Sequence, residues 1–322
     1  MASGYLNVSI IVTSNSTERK ADILDLLRSI KEQEVSNYEL IYVTEGKGRL
    51  FQFVQDETSR LGLNARVIRN EGSPGLSEAR NAGSRGAVGE ILGFVDDDVV
   101  LDRGWSRAVE ELFQKYPSAV GASGPAYPLW VGEPAEWLPK ELDWLIGCTR
   151  WFKPSGFVEV RNCWGMNMAF RTRQFRQIGG FSVDSGYHRG RIAEDIELSL
   201  RIRGKTGGKI LYSPKMLVKS KVHPYRLSNK FIIERSRWIG YSRRSIRDTA
   251  STNGLAHQGI ERSVLSGILT SVILPDSSAH SLSAILRKYK TLALCAFSLA
   301  LGYLNGPILP NEQASYSWPK AT

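Results

Sequence analysis

Three consecutive carboxylates, Asp96, Asp97 and Asp98, interrupt the stretch GEILGFVDDDVVL, and Glu194 and Asp195 stand side by side about a hundred residues later. Like charges in a row repel one another, and each holds its proton more tightly unless a cation neutralises them. A hard divalent ion does this: Mg²⁺ or Mn²⁺ takes one or two protein carboxylates and completes its shell with phosphate oxygens. The competing role is an acidic turn that caps the next helix. The Glu194–Asp195 pair is open to two roles as well. Adjacent carboxylates at a helix start satisfy the helix dipole, and a carboxylate beside an apolar wall, its pKa tuned by burial, is how a general base is made.

The elements that must position these groups are legible in part. Ile91, Leu92, Phe94 and Val95 read as a buried strand bounded by Gly89 and ending at the aspartates. Upstream, Val8 to Val12 makes a first strand, TSNSTER a loop, and Ile23, Leu24, Leu27 and Ile30 a helical stripe. Leu40 to Val43 is a second strand, and Leu50, Phe51, Val54 and Leu61 carry a second helix. Arg66 to Ile68 is a third strand, and SEARNAGSRGA a small-residue helix leading into the fourth. This alternation predicts an α/β, Rossmann-like, mostly parallel sheet flanked by helices, with right-handed crossovers. Ligands of such sheets bind beyond the carboxyl ends of the strands, which places the aspartates beside the Thr13 to Ser16 loop. The first βα turn has neither a Walker A sequence nor GxGxxG, so phosphate charge must be met in another way.

At 322 residues, with 42% hydrophobic and 23% charged residues, the chain belongs among globular proteins of one large or two smaller domains. Cys148, Cys163 and Cys295 are odd in number and far apart, a pattern of a reducing compartment without structural zinc. MASGYLNVSIIVTS lacks a basic region before its apolar run and reads as a strand, which makes the cytoplasm the expected compartment. A net charge of +10 implies an anionic partner. Nucleic acid is not expected to be that partner, because cations and aromatics are not arranged as a reader module.

Trp130, Trp137, Trp144 and Trp151 recur every seven residues, but Pro134 and Pro139 break any continuous helix. Indoles in this position pack in the core or form a flat wall for a sugar ring or a bilayer interface. Gly165 to Phe170 reads as a strand, Gln174 to Ile178 as a short helix, and a further helix begins near Glu194. From Arg201 to Arg247 cations dominate, either as a solvated helix face or as a basic surface for anionic lipid. Val264 to Pro275 and Thr291 to Leu304 are apolar but shorter than the roughly 18–20 residues of a spanning helix, so interfacial or buried helices are expected. The expected divisions are 1–100, 101–225 and, as a basic and apolar helical membrane-associating region, 226–322.

Four stretches together carry a resemblance: VSIIVTSNSTER, GLSEARNAGSRGAVGEILGFVDDDVVL, GMNMAFRTRQFRQIGGF with AEDIELSLRIR, and FIIERSRWIGYSRRS. They resemble the family 2 glycosyltransferases of the GT-A fold, in their membrane-associated bacterial and archaeal branch. The resemblance implies an inverting transferase that moves a sugar from a nucleoside diphosphate donor to a glycan or polyprenyl-linked acceptor. It implies a peripheral or monotopic place on the anionic cytoplasmic face of the cell membrane. It further implies Thr13, Asn15, Glu45, Arg80, Asp96 and Asp97 at the donor, Trp164 and Glu194 at the acceptor, Asp195 as base, and Asp98 with His223 on Mg²⁺ or Mn²⁺. Two positions depart from the family pattern: Thr44 stands where an Asp near the base is usual, and Ser220 where a His is usual, with His223 three residues on. A nucleotidyltransferase on a related sheet and a non-catalytic nucleotide- or lipid-binding homologue are the alternative readings.

Overall fold

A computed structural model describes residues 6–35, 37–46, 48–183, 194–252 and 282–305. In chain order the first half runs β1 (Val8–Ser14), α1 (Lys20–Lys31), β2 (Tyr38–Thr44), α2 (Arg49–Arg60), β3 (Ala65–Arg69), α3 (Leu76–Arg85), β4 (Ile91–Asp96) and β5 (Val99–Leu101). It continues with α4 (Trp105–Lys115), β6 (Ala119–Ser123), β7 (Ala126–Trp130), β8 (Val158–Val160), β9 (Asn167–Arg171) and α5 (Thr172–Gln177). The last elements are α6 (Glu194–Thr206), β10 (Lys209–Tyr212), β11 (Val218–Val222), α7 (Asn229–Thr252) and α8 (Leu282–Asn305). The chain divides into two compact units, Met1–Tyr127 with Lys153–Lys221, and Pro128–Phe152 with Val222–Thr322.

The first unit is built on an eight-stranded sheet of order β3-β2-β1-β4-β9-β6-β10-β8. Strands β3, β2, β1 and β4 are parallel, which requires a helical crossover between each pair, and α1, α2 and α3 supply them. Central parallel strands are covered on both faces, and β1 and β4 are accordingly buried along nearly their whole length. Helix α1 buries Ile23, Leu26, Leu27 and Ile30 against them. Beyond β4 the sheet turns mixed, with β9 antiparallel to both β4 and β6, and β10 parallel to β6.

Gly93 in β4 admits the Trp105 indole, whose Nε1 donates to Asn167 Oδ1 at 2.8 Å. Asn167 in turn donates to the Met216 carbonyl at 2.6 Å and pairs with Val95 across the ladder. A β-carbon on Gly93 would lie 2.7 Å from Trp105 Cη2, and the anchored ring has little freedom to move away. Gly93→Ala is therefore expected to destabilise the fold by about 1–3 kcal/mol through overpacking. Thermal unfolding of the variant checks this: a melting midpoint unchanged from wild type would mean that the indole repacks freely.

The second unit carries a separate apolar cluster of Leu138, Leu142, Leu145, Ile146, Val222, Ile232, Leu292 and neighbours. Trp130, Trp137 and Trp144 pack on it, each half-buried, which is the core role open to the recurring tryptophans. Asp143 is buried there under Arg150, which donates from Nε and Nη2 at 2.7 and 2.6 Å. The RKYK of Arg287 to Lys290 lies inside α8 rather than before it, because nothing from Leu282 to Ala300 breaks a helix. The other apolar stretch, Val264 to Pro275, lies outside the described residues. Among the described residues no helix is long and apolar enough to cross a membrane.

Candidate active site

Strand direction decides which residues meet. Strands β1 and β4 run parallel with Thr13 opposite Asp96, so the Ser14–Asn15 corner and the three aspartates emerge at the same edge of the sheet. Strand β9 runs the other way, so its lead-in, Trp164 and Gly165, arrives at that edge too. The N-terminus of α6 brings Glu194 and Asp195 to Gly165, whose N–H donates to Asp195 Oδ2 at 2.8 Å.

One cluster forms around Asp97 and Asp98, both buried. Arg19, at the end of the loop after β1, donates from Nη1 to Asp97 Oδ1 at 2.7 Å and to Asp98 Oδ2 at 3.3 Å. Ser14 Oγ donates to Asp97 Oδ2 at 2.6 Å and lies 2.6 Å from the Tyr42 hydroxyl, which must therefore be its donor. Burial pushes Asp97 up to about 6, with Asp98 adding repulsion and Arg19 opposing both. Burial, helped by the Asp97 charge, holds the Tyr42 hydroxyl well above its ordinary range, so it remains a donor. The backbone of Asp98 is fixed as well, its carbonyl accepting from Lys221 N–H at 2.8 Å.

The second cluster is organised by Arg80 on α3, whose side chain is only 3% exposed. Its Nη2 donates to Asp96 Oδ1 at 2.9 Å and to the Gly165 carbonyl at 3.1 Å, and its Nη1 donates to Glu194 Oε1 at 2.9 Å. The guanidinium also lies over the Phe181 ring, 5.4 Å from its centroid. Gly165 is held at both ends, by Arg80 at its carbonyl and by Asp195 at its N–H. Glu194 is pushed up to about 7, by burial first and by the neighbouring Asp195 charge second, against the pull of Arg80. Asp195 Oδ1 also accepts from Ile196 N–H at 2.8 Å, and as an acid in the first described turn of α6 it favours the helix dipole. Asp96 keeps 37% of its side chain exposed and is the aspartate that faces solvent.

The remaining expected residues fall into three groups. Thr13 and Asn15 lie at the end of β1, with Asn15 exposed. Glu45 follows β2 and accepts from Asn70 Nδ2 at 2.9 Å and Gly75 N–H at 2.8 Å, so it shapes the loop before α3, while Thr44 is buried. Trp164 stands edge-on to Tyr212, centroids 5.7 Å apart, and offers an aromatic wall beside the acidic pair. Ser220 is buried in β11 opposite Val99. His223 belongs to the second unit, where it precedes the short helix Pro224–Leu227 and stacks on Tyr225 at 6.0 Å.

Arg19 and Lys221 were not expected at the site. Lys221 is buried and donates to Asp22 Oδ1 at 3.0 Å and Asp25 Oδ2 at 2.6 Å, tying α1 to the strand that holds Asp98. A cation in a loop and another in a basic run carry no local pattern. Only the spacing of Asp22 and Asp25 on one helix face, toward an otherwise acidic edge, hints at a buried partner.

The profile of the family described as Glycosyl transferase family 2 matches residues 9–179, from β1 through the end of α5. The chain belongs to this family. It is 28% identical over 241 residues to a glucosyl-dolichyl phosphate glucuronosyltransferase of Haloferax volcanii, a match covering 74% of this chain and 77% of the relative. Among solved structures it is similar to the mannosyltransferase PcManGT of Pyrobaculum calidifontis, determined with GDP-Man and Mn²⁺, at 16% identity and a TM-score of 0.57. That likeness covers 94% of this chain and 88% of the other. A second neighbour, GalNAc-T7 with UDP, GalNAc and Mn²⁺, has 17% identity and a TM-score of 0.53 over 67% of this chain, which spans 43% of that one. At these identities the likeness is one of fold, and the fold is GT-A.

The fold of this family 2 glycosyltransferase implies a divalent ion. Among the described residues no three His, Cys, Asp or Glu side chains gather into a metal cage. The donors at the end of β4 are hard carboxylate oxygens, with two of the three acids already sharing Arg19. Such a set fits Mg²⁺ or Mn²⁺ taken up together with substrate oxygens, and does not fit a metal bound by protein alone.

Proposed function

We propose that the chain is an inverting, metal-dependent glycosyltransferase. It moves a sugar from a nucleoside diphosphate donor to a lipid-linked acceptor, a polyprenyl- or dolichyl-linked glycan, at the cytoplasmic face of a membrane. The observation that carries this reading is the Arg80 bridge, 2.9 Å from both Asp96 and Glu194, which joins the acidic end of β4 to the pair on α6. That the acidic end of β4 and the acidic pair of α6 meet at one sheet edge supports assigning donor chemistry to the first and proton transfer to the second. The Haloferax volcanii relative, whose name includes a dolichyl phosphate, supports the choice of acceptor class.

In this mechanism Asp96 faces the donor ribose, with Thr13, Asn15, Glu45 and Asp97 shaping the rest of the donor site. Asp98 would hold a divalent ion, which when bound supplies positive charge against the departing diphosphate. Asp195 removes the proton of the acceptor hydroxyl. The freed oxygen attacks the anomeric carbon from the face opposite the diphosphate, the bond to the diphosphate breaks, and the configuration inverts. Trp164 offers a ring for the acceptor sugar to stack on, and Glu194, held by Arg80, keeps the base in place.

Incubating the protein with UDP-, GDP- and dTDP-sugars and Mn²⁺ tests donor class and metal together. Release of one nucleoside diphosphate, without pyrophosphate and abolished by a chelator, is the expected result. Pyrophosphate as the product would instead identify a nucleotidyltransferase.

A further inference from the structure

Helix α8 packs on α7 with the polarity of a water-soluble helix largely reversed. The face of α8 turned inward carries Lys288, Thr291, Cys295, Ser298 and Gly302, all buried, with Leu292 among them. Its opposite face is exposed and apolar: Leu282, Leu286, Tyr289, Phe297 and Leu304 fall within one side of the helix at 3.6 residues per turn. Leu286, Phe297 and Leu304 are 63%, 67% and 66% exposed, far more than an amphipathic helix in water leaves its large apolar side chains.

The crossing itself is made by small residues. Ser236 and Gly240 on α7, and Ser298 and Gly302 on α8, repeat at four-residue spacing and are buried. A β-carbon on Gly302 would strike the Arg237 carbonyl and one on Gly240 the Leu299 carbonyl, so the two backbones touch. Arg244 Nη1 closes the pair, donating to the Leu304 carbonyl at 2.8 Å. Small residues inside and large apolar ones outside is how helices pack where lipid, not water, covers their outer face.

Charge on the outer side matches this surroundings. No Asp or Glu occurs from Leu282 to Asn305, while Arg287 and Lys290 are exposed beside the apolar stripe. Together with Leu286, Leu227, Ser228 and Asn229 they line an open cleft of about 500 Å³.

We propose that the outer face of α8 lies in the interface of an anionic phospholipid bilayer. Leu282, Leu286, Phe297 and Leu304 enter the acyl boundary, and Arg287 and Lys290 meet lipid phosphates at the cleft. The helix lies in the membrane plane, its inner face staying on α7. This deepens the reading that the acceptor is lipid-linked, because it gives the protein a surface on which to meet such a substrate.

The test is flotation of the full-length protein with phosphatidylcholine vesicles, with and without phosphatidylglycerol, alongside release of nucleoside diphosphate from a soluble donor. Wild type is expected to float with the anionic vesicles, and the double variant Leu286→Glu/Phe297→Glu to lose about tenfold or more of that binding. Lys290→Glu is expected to lose the dependence on phosphatidylglycerol. Thermal midpoint and soluble-donor turnover should stay at wild-type values, since the altered side chains point away from α7. Undiminished flotation of the double variant would overturn the proposal. So would a wild-type dimer that ignores vesicles and becomes monomeric in the double variant. Flotation that behaves as expected in a protein inactive on every donor would uphold the surface and count against the glycosyltransferase reading alone.

Discussion

Asp195→Asn is expected to lower sugar transfer by about 10²–10⁴-fold, the range a positioned general base contributes, while the donor binds as it does to wild type. The separation of the two effects follows from the geometry. Asp195 contacts Gly165 and the start of its own helix, whereas the contact of the acidic pair with the β4 aspartates runs through Glu194 and Arg80. An asparagine keeps an oxygen for the Gly165 N–H and loses the acceptor of the Ile196 N–H, so a cost of about 1 kcal/mol is expected with the fold retained, which thermal unfolding beside the kinetics checks. A pH signature accompanies the loss. The Asp195 charge helps to hold Glu194 up at about 7, so removing it lets the Glu194 titration fall to more acidic pH. Residual activity in Asp195→Asn should therefore rise toward its plateau at lower pH than in wild type. Full activity in the variant would remove Asp195 from the role of base.

The inner parallel strands are legible in the sequence because β1, β4 and most of β2 are buried on both faces, whereas the edge strand β3 is partly exposed along its length. VSIIV, LIYV and ILGFV are nearly continuous apolar runs that can hardly sit elsewhere. Strand β6, AVGAS, is fully buried too, yet Ala, Gly and Ser have neither the branching nor the bulk that marks a strand. With only three residues, VEV in β8 is too short to show a period. The acidic groups were readable from their type and spacing, and Glu194 and Asp195 lie in the first described turn of α6.

What surrounds the acids was not readable, because it depends on which strands are neighbours. Arg19 reaches Asp97 and Asp98 because β1 lies beside β4 with Thr13 opposite Asp96, a pairing across more than eighty residues. The seven-residue tryptophan spacing is a coincidence of loops, two prolines and a 3₁₀ turn, and not a helical seam. The reversed polarity of α8 is hidden for a different reason. A helical wheel separates its small residues from its large ones, but says nothing about which of those faces meets α7.

Arg80→Lys should separate two meanings of the residue, a donor contact or a brace between donor and base. A lysine ammonium is a compact charge on a flexible stem and cannot hold Asp96, Glu194 and the Gly165 carbonyl at once, as the planar guanidinium does. The brace predicts a loss in kcat of about 10–100-fold from a misplaced base, with donor affinity changed little. A donor contact predicts the reverse, weaker donor binding with kcat intact, and calorimetry with the nucleoside diphosphate decides between them. Arg80→Met goes further, because it leaves Glu194 poorly solvated and without its cation. Stability should fall by about 3 kcal/mol, somewhat eased by the solvent that reaches Asp96. The sign of the pH effect is opposite to that in Asp195→Asn. Arg80 pulls the Glu194 titration down, so its removal pushes that titration above about 7, and whatever activity the variant retains should recover as pH rises. Two substitutions on one cluster thus move the Glu194 titration in opposite directions, because Asp195 raises it and Arg80 lowers it.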